Sequence, residues 1–239
     1  MLLRLHMKPA REIENELRKH ASSSKAKLLQ GFFKTGPGEY GEGDLFLGVM
    51  VPDSRIVVNH FKHASLKTIA DLLNSKYHEV RLTALLILVD KFRSAGLPEQ
   101  KEIFDFYLNF TSRINNWDLV DLSAKHIVGG YLLNRPRTQL IKLARSKNIW
   151  ERRIAILATF AFIPHHQFED SFKLANFLLH DEHDLIHKAV GWMLREVGKK
   201  SKPALVKFLK PRYQKMPRTM FRYAIERFPE SERQAYLKS

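Results

Sequence analysis

Apolar residues recur along most of this chain every three or four positions, the period of a helix that buries one face. No convincing two-residue alternation marks a strand. The pattern predicts helices over Ala10 to Ala21 and Ser24 to Phe33, with Ser22, Ser23 and Ser24 as a capping cluster. Thr35 to Asp44 holds four glycines in ten residues, a density that disfavours helix and predicts an irregular loop. Pro52-Asp53 suits a helix start, where proline loses no hydrogen bond.

From there an outline repeats. A short amphipathic helix, Leu66 to Leu73, is followed by the polar turn Asn74-Ser75-Lys76. His78-Glu79-Val80-Arg81 then opens a longer helix through Leu85, Leu86, Leu88 and Val89. The same order returns at Leu140 to Ala144, Ser146-Lys147-Asn148 and Ile154 to Leu157, and again at Phe172 to Leu179, His180 to Asp184 and Ile186 to Leu194. A short helix, a turn and a longer helix at intervals of roughly 30 to 40 residues is the signature of a helical-pair solenoid, because one pair cannot bury its apolar stripe alone. The expectation is an all-α chain, a right-handed solenoid of HEAT-like antiparallel helix pairs with a concave basic face. Ala95-Gly96-Leu97-Pro98 and Asn134-Arg135-Pro136-Arg137 read as interhelix turns rather than linkers, so residues 1–239 are expected to form a single domain.

Charge narrows the class of partner. Forty Lys and Arg stand against 25 Asp and Glu, a formal charge of +15. Such a surface favours polyanions: nucleic acid first, because phosphate neutralisation releases counterions, and an acidic membrane surface second. At 44% hydrophobic residues the chain is a folded one. The absence of cysteine removes disulfides, thiolate nucleophiles and cysteine metal sites. No apolar run approaches the roughly 20 residues of a membrane span. Met1 to Lys8 is too short and too charged for a secretory signal. A cytoplasmic monomer without membrane association is the expectation.

Three segments hold candidate chemistry. Trp117 and Asp121 stand four residues apart, on one face of a helix capped by Asn115 or Asn116, with Asp118 in its first turn. They read either as a functional pair or as a core indole beside a solvated charge. Trp192, among Ala189, Val190, Leu194 and Val197, is equally a core aromatic by pattern. Arg152 and Arg153 point in different directions, one able to meet a phosphate while the other faces solvent. His180, His183 and His187 have helical metal-ligand spacing but no recognisable motif. The glycine-rich loop lacks the Gly-Lys-Ser/Thr ending of a phosphate loop, and its Glu39, Glu42 and Asp44 would repel phosphate. The basic segment from Lys199 to Arg218 is a solvated face or an auxiliary contact to nucleic acid.

Taken in order along the chain, these blocks resemble the AlkD family of DNA alkylation-repair glycosylases. Thr35 to Gly48, with GPGEYGEGDLFLG in its core, looks like that family's N-terminal loop. Tyr77 to Phe92 (YHEVRLTALLILVDKF) looks like its first well-formed repeat. Trp117-Asp118-Leu119-Val120-Asp121 matches its Trp-Asp-x-Val-Asp motif, Asn148 to Arg153 its Asn-Ile-Trp-x-x-Arg motif, and Lys188 to Glu196 (KAVGWMLRE) the block of its second tryptophan. The resemblance implies that Asp121 is the catalytic carboxylate, that Trp117 and Trp192 lie against the deoxyribose, and that Arg153, rather than Arg152, contacts a phosphate. It further implies a double-stranded DNA substrate carrying N3- or N7-alkylated purines, no metal, no cofactor and no need for a tight base-flipping pocket. A helical-repeat protein that binds damaged or branched DNA without turnover is the alternative. The two differ in whether Asp121 matters for chemistry.

Overall fold

The structure, a computed structural model, describes residues 9–238; the reading of Met1 to Lys8 lies outside them. The regular elements among those residues are all helices, and the only bridge between extended segments among them is an isolated parallel one, Leu45 with Tyr77. Contacts divide the chain into two compact units, Met1–Ser123 and Ala124–Ser239.

The first unit contains α1 (Pro9–Arg18), α2 (Ser23–Phe32), α3 (Val51–Phe61), α4 (Leu66–Leu73), α5 (His78–Ser94), α6 (Leu97–Asn109) and the single-turn α7 (Trp117–Asp121). Its centre is α5, mostly apolar and buried on every side from Val80 to Val89, against α3, α4, α6 and α7. Each fully buried leucine, isoleucine or valine there contributes about 1.5–3 kcal/mol. Local signals place the ends. Ser22 and Ser65 cap α2 and α4, accepting from Lys25 and Thr68, and Pro52 sits in the first turn of α3. Leu97 and Pro98, expected within a turn, open α6 instead, since proline is tolerated in a first turn. The helix expected to run to Ala21 ends at Arg18, where the chain tightens into turns at Lys19 and His20.

The segment from Phe33 to Met50 folds as turns up to Gly43 and irregular chain beyond, rather than as helix. Gly48 has φ of +81°, and a Cβ there would lie 2.0 Å from the Ser22 carbonyl oxygen. Both the dihedral and the approach require glycine.

The second unit contains α8 (Gly130–Leu132), preceded by a π-helical turn over Lys125–Gly129, then α9 (Thr138–Ala144), α10 (Ile149–Ala158), α11 (Glu169–Phe177), α12 (Asp184–Lys200), α13 (Lys202–Leu209), α14 (Arg218–Ala224) and α15 (Glu230–Lys238). Here α12 is the spine, packed on α10, α13 and most extensively α14. Gly191 makes the last contact close: a Cβ there would meet the Met220 carbonyl at 2.5 Å. Arg137 lies over the Phe162 ring at 3.7 Å and pairs with Asp170 at 2.6 Å, so a half-buried cation is both stacked and charge-compensated.

Candidate functional site

In the first unit, Asn116 adopts extended backbone and its Oδ1 accepts the Trp117 N–H at 2.8 Å, which starts α7. Trp117 and Asp121 therefore share one face of this helix, both half-buried. Both line a cavity of about 310 Å³, together with Phe32, Phe33, Phe46 and Met50. Phe33 stacks on Trp117 with centroids 5.0 Å apart and an 18° interplanar angle, and Phe32 meets the same indole edge-on at 5.8 Å. Tyr107 on α6 is fully buried. Its hydroxyl bonds the Ser123 hydroxyl at 2.9 Å, and Ser123 donates to the Leu119 carbonyl. Burial pushes the Tyr107 phenol above its usual value, and the Asp121 charge pushes it the same way.

Beneath α7 lies a buried ionic cluster. Asp118 approaches His78 Nε2 at 2.8 Å and accepts the Leu119 N–H at 2.8 Å. His78 Nδ1 lies 3.0 Å from Asp44, which also accepts from Arg81 at 2.6 Å and from Asn115 and Asn116. With both ring nitrogens facing carboxylates, both must donate, so His78 is an imidazolium. Burial opposes that charge, but the Asp118 and Asp44 carboxylates outweigh it and raise His78 to about 9. Burial likewise works against Asp44, yet the His78 bond and the Arg81 and His78 charges hold its carboxyl below the usual range. Two cations thus balance two carboxylates in the interior. The imidazolium also sits among aromatic faces, 4.6 Å from the Phe46 centroid and 4.9 Å from that of Phe33.

Next to it, the Glu79 carboxylate accepts the backbone N–H groups of Leu47, Gly48 and Val49 at 2.8–3.2 Å. A buried charge is satisfied by three amides, and the loop that walls the cavity is fixed to the first turn of α5.

In the second unit, Arg153 on α10 is 5% exposed and donates to the Leu185 carbonyl at 2.6 Å, at the start of α12. Arg152 is committed elsewhere: it forks onto Asp181 at 2.7 and 3.3 Å and donates to the Ser146 and Lys147 carbonyls. Trp192 lies two turns beyond Leu185 on α12, half-buried, its Nε1 donating to Glu196 at 3.1 Å and its ring 5.8 Å from Phe160. Trp150, two residues from Arg152, is a core residue. Of the helical histidines, His183 caps α12 by accepting the Leu185 N–H, and His187 bonds the Asp181 carbonyl. Among the described residues no group of three His, Cys, Asp or Glu side chains is arranged to hold a metal ion. Nor is any helix among them long and apolar enough to cross a membrane.

The structure thus brings Trp117 and Asp121 to one cavity wall in the first unit, and sets Arg153 and Trp192 on packed helices of the second. The ionic cluster has no motif in the sequence, where Asp44 belongs to a loop that repels phosphate and Asp118 to the first turn of a helix, as a charge on its dipole. One signal was available: His78, Glu79 and Arg81 crowd the first turn of a helix whose pattern is otherwise buried all round.

The sequence profile of the family described as DNA alkylation repair enzyme matches residues 13–228, and the chain belongs to that family. A solved structure named "Predicted DNA alkylation repair enzyme from Enterococcus faecalis" is similar in fold, with a TM-score of 0.68 over 88% of this chain and 98% of that chain, at 16% identity. No curated protein matches the sequence.

Proposed function

We propose that the protein is a DNA glycosylase that hydrolyses the N-glycosidic bond of cationic N3- or N7-alkylated purines in duplex DNA and leaves an abasic site. The observation that carries this reading is the placement of Asp121 and Trp117 on one face of α7, both on the wall of an aromatic cavity, in a chain of the DNA alkylation repair family.

The chemistry needs little from the protein beyond charge placement. A purine alkylated at N3 or N7 carries a positive charge, and the glycosidic electron pair neutralises it as the base leaves, so no strong general acid is required. What builds up is oxocarbenium character on the sugar, as in glycoside hydrolysis. The Asp121 carboxylate stabilises that cation and orients a water. The water oxygen bonds to C1′, and its proton passes to Asp121 and then to solvent. The Trp117 π-face favours the cationic sugar. In the second unit, Trp192 is assigned to a deoxyribose contact and Arg153 to a backbone phosphate. The Leu185 carbonyl fixes the orientation of the Arg153 guanidinium, and the Asp181 pair takes Arg152 out of contention.

Chromatographic release of free methylpurine from N-methylpurine DNA, by the wild-type chain and by Asp121→Asn, tests the reading. Release that depends on Asp121 supports it; DNA binding without release assigns the protein to the non-catalytic alternative.

A further inference from the structure

Trp192, assigned to a deoxyribose contact, sits on α12 with its ring half-buried. Packing alone leaves such a ring adjustable. The outer side-chain torsion of tryptophan joins an sp³ to an sp² carbon, and its preference is broad and roughly two-fold. Two neighbours remove that freedom. Phe160 meets the indole at 5.8 Å between centroids and a 59° angle, and Phe160 is itself held by Lys125, whose Nζ lies 4.9 Å from the phenyl centroid. On the polar edge of the indole, Nε1 donates to Glu196 Oε1 at 3.1 Å, one turn further along the same helix.

Glu196 is anchored more firmly than an indole N–H requires. Lys199 Nζ donates to both of its oxygens at 2.9 Å, and Arg195 reaches Oε1 through Nε and Nη2 at 3.4 Å. Arg195 Nη1 also bonds Glu226, just beyond the end of α14. Trp192, Glu196, Arg195 and Glu226 thus form one chain of side-chain bonds from the indole on α12 to the neighbouring helix. Water can satisfy a half-buried N–H, yet this one is given a carboxylate that two cations hold in place. The consequence is directional. With its only donor occupied, the indole has no N–H to offer a phosphate or sugar oxygen, and it presents a π-face instead. That face favours a sugar carrying positive charge over a neutral one.

We infer that Glu196 is the positioning residue of Trp192, fixing the indole plane so that its face meets the deoxyribose as positive charge develops there. The inference rests on the glycosylase reading. Glu196 acts through the indole and not on the substrate, so its effect falls on the rate of bond cleavage rather than on DNA affinity.

The test compares the full chain with Glu196→Ala, Glu196→Gln, Trp192→Phe and the double variant Trp192→Phe with Glu196→Ala, each checked for folding by circular dichroism. Single-turnover release of methylpurine from duplex DNA should fall about tenfold in Glu196→Ala, the scale of one charge-assisted hydrogen bond that orients a reacting surface. DNA affinity should change by less than about twofold. Glu196→Gln, which keeps an acceptor oxygen, should retain at least about half of the wild-type rate. Where Trp192→Phe leaves no N–H to hold, Glu196→Ala should add no further loss. The indole N–H resonance that disappears in Trp192→Phe belongs to Trp192. It should move upfield and exchange faster with water in Glu196→Ala, and return in Glu196→Gln. A wild-type rate in Glu196→Ala, the same loss from Glu196→Ala with and without the indole, a Glu196→Gln rate as low as that of Glu196→Ala, or an unmoved resonance would overturn the inference and leave the glycosylase reading standing. Failure of the wild-type chain to release methylpurine removes that reading, and this role with it.

Discussion

His78 Nε2 lies 2.8 Å from Asp118, joining the first turn of α5 to the first turn of α7, the helix that carries Trp117 and Asp121. The other nitrogen of the same ring reaches Asp44 in the preceding loop at 3.0 Å. One buried imidazolium therefore ties three segments together, and α7, only five residues long, depends on such ties because a single turn has little stability of its own.

The cluster predicts an alkaline limit to stability. The folded chain holds the His78 proton more tightly than the unfolded chain, about 9 against 6.5, with Asp44, Asp118 and Arg81 as the charged groups around it. Its contribution is complete below pH 6.5 and is lost as pH rises through about 9, a change of roughly 3 kcal/mol. Asp44 works in the opposite sense, its contribution fading in acid as pH falls through its lowered value. Urea midpoints recorded from pH 6 to 10 check this, and Asp118→Asn should move the alkaline fall to lower pH by removing the larger of the supporting charges. A flat profile across that range would show that His78 is not an imidazolium.

Glu79→Ala should destabilise the chain by about 2–3 kcal/mol, since three amide donors lose a charged acceptor in the interior. Thermal unfolding measures the loss. Faster amide hydrogen exchange at Leu47, Gly48 and Val49 than at Leu85 would locate it in the loop.

Gly48→Ala should cost about 1–3 kcal/mol, because the residue keeps a left-handed backbone and its new methyl group meets the Ser22 carbonyl. Gly96→Ala, where nothing lies within 4 Å of the added carbon, is the comparison and should be close to neutral in chemical denaturation.

Arg153→Ala should weaken DNA affinity and turnover together and lower the slope of log affinity against log salt by about 1, as expected for one lost phosphate contact. Arg152→Ala should leave the slope unchanged while loosening the Asp181 segment. Fluorescence anisotropy over a salt series separates the two, with circular dichroism to confirm that Arg153→Ala, which also loses the Leu185 carbonyl bond, remains folded. An unchanged slope in Arg153→Ala would withdraw the phosphate assignment.

Much of the helical architecture was legible because its causes are local. The α4 boundaries follow from Ser65 and the Leu66 to Leu73 stripe, and the start of α7 from Asn116. The shared face of Trp117 and Asp121 follows from their four-residue spacing. The rest depends on partners distant in sequence. Asp44 and Asp118 meet His78 across 34 and 40 residues, a pairing no periodicity encodes. Phe32 and Phe33, which patterning assigns only to an amphipathic helix, reach Trp117 from the far end of the unit's sequence. Burial of Arg153 is likewise set by α12 packing on α10, not by the Trp-x-x-Arg spacing.

The central claim is that the Asp121 carboxylate promotes bond cleavage rather than binding. Single-turnover release of methylpurine from duplex DNA, measured beside DNA affinity for the wild type and Asp121→Asn, isolates that role. The Asp121→Asn rate should be lower by about 100-fold or more, on the scale of losing a key electrostatic group, with affinity changed little. Wild-type release rates in Asp121→Asn would contradict it.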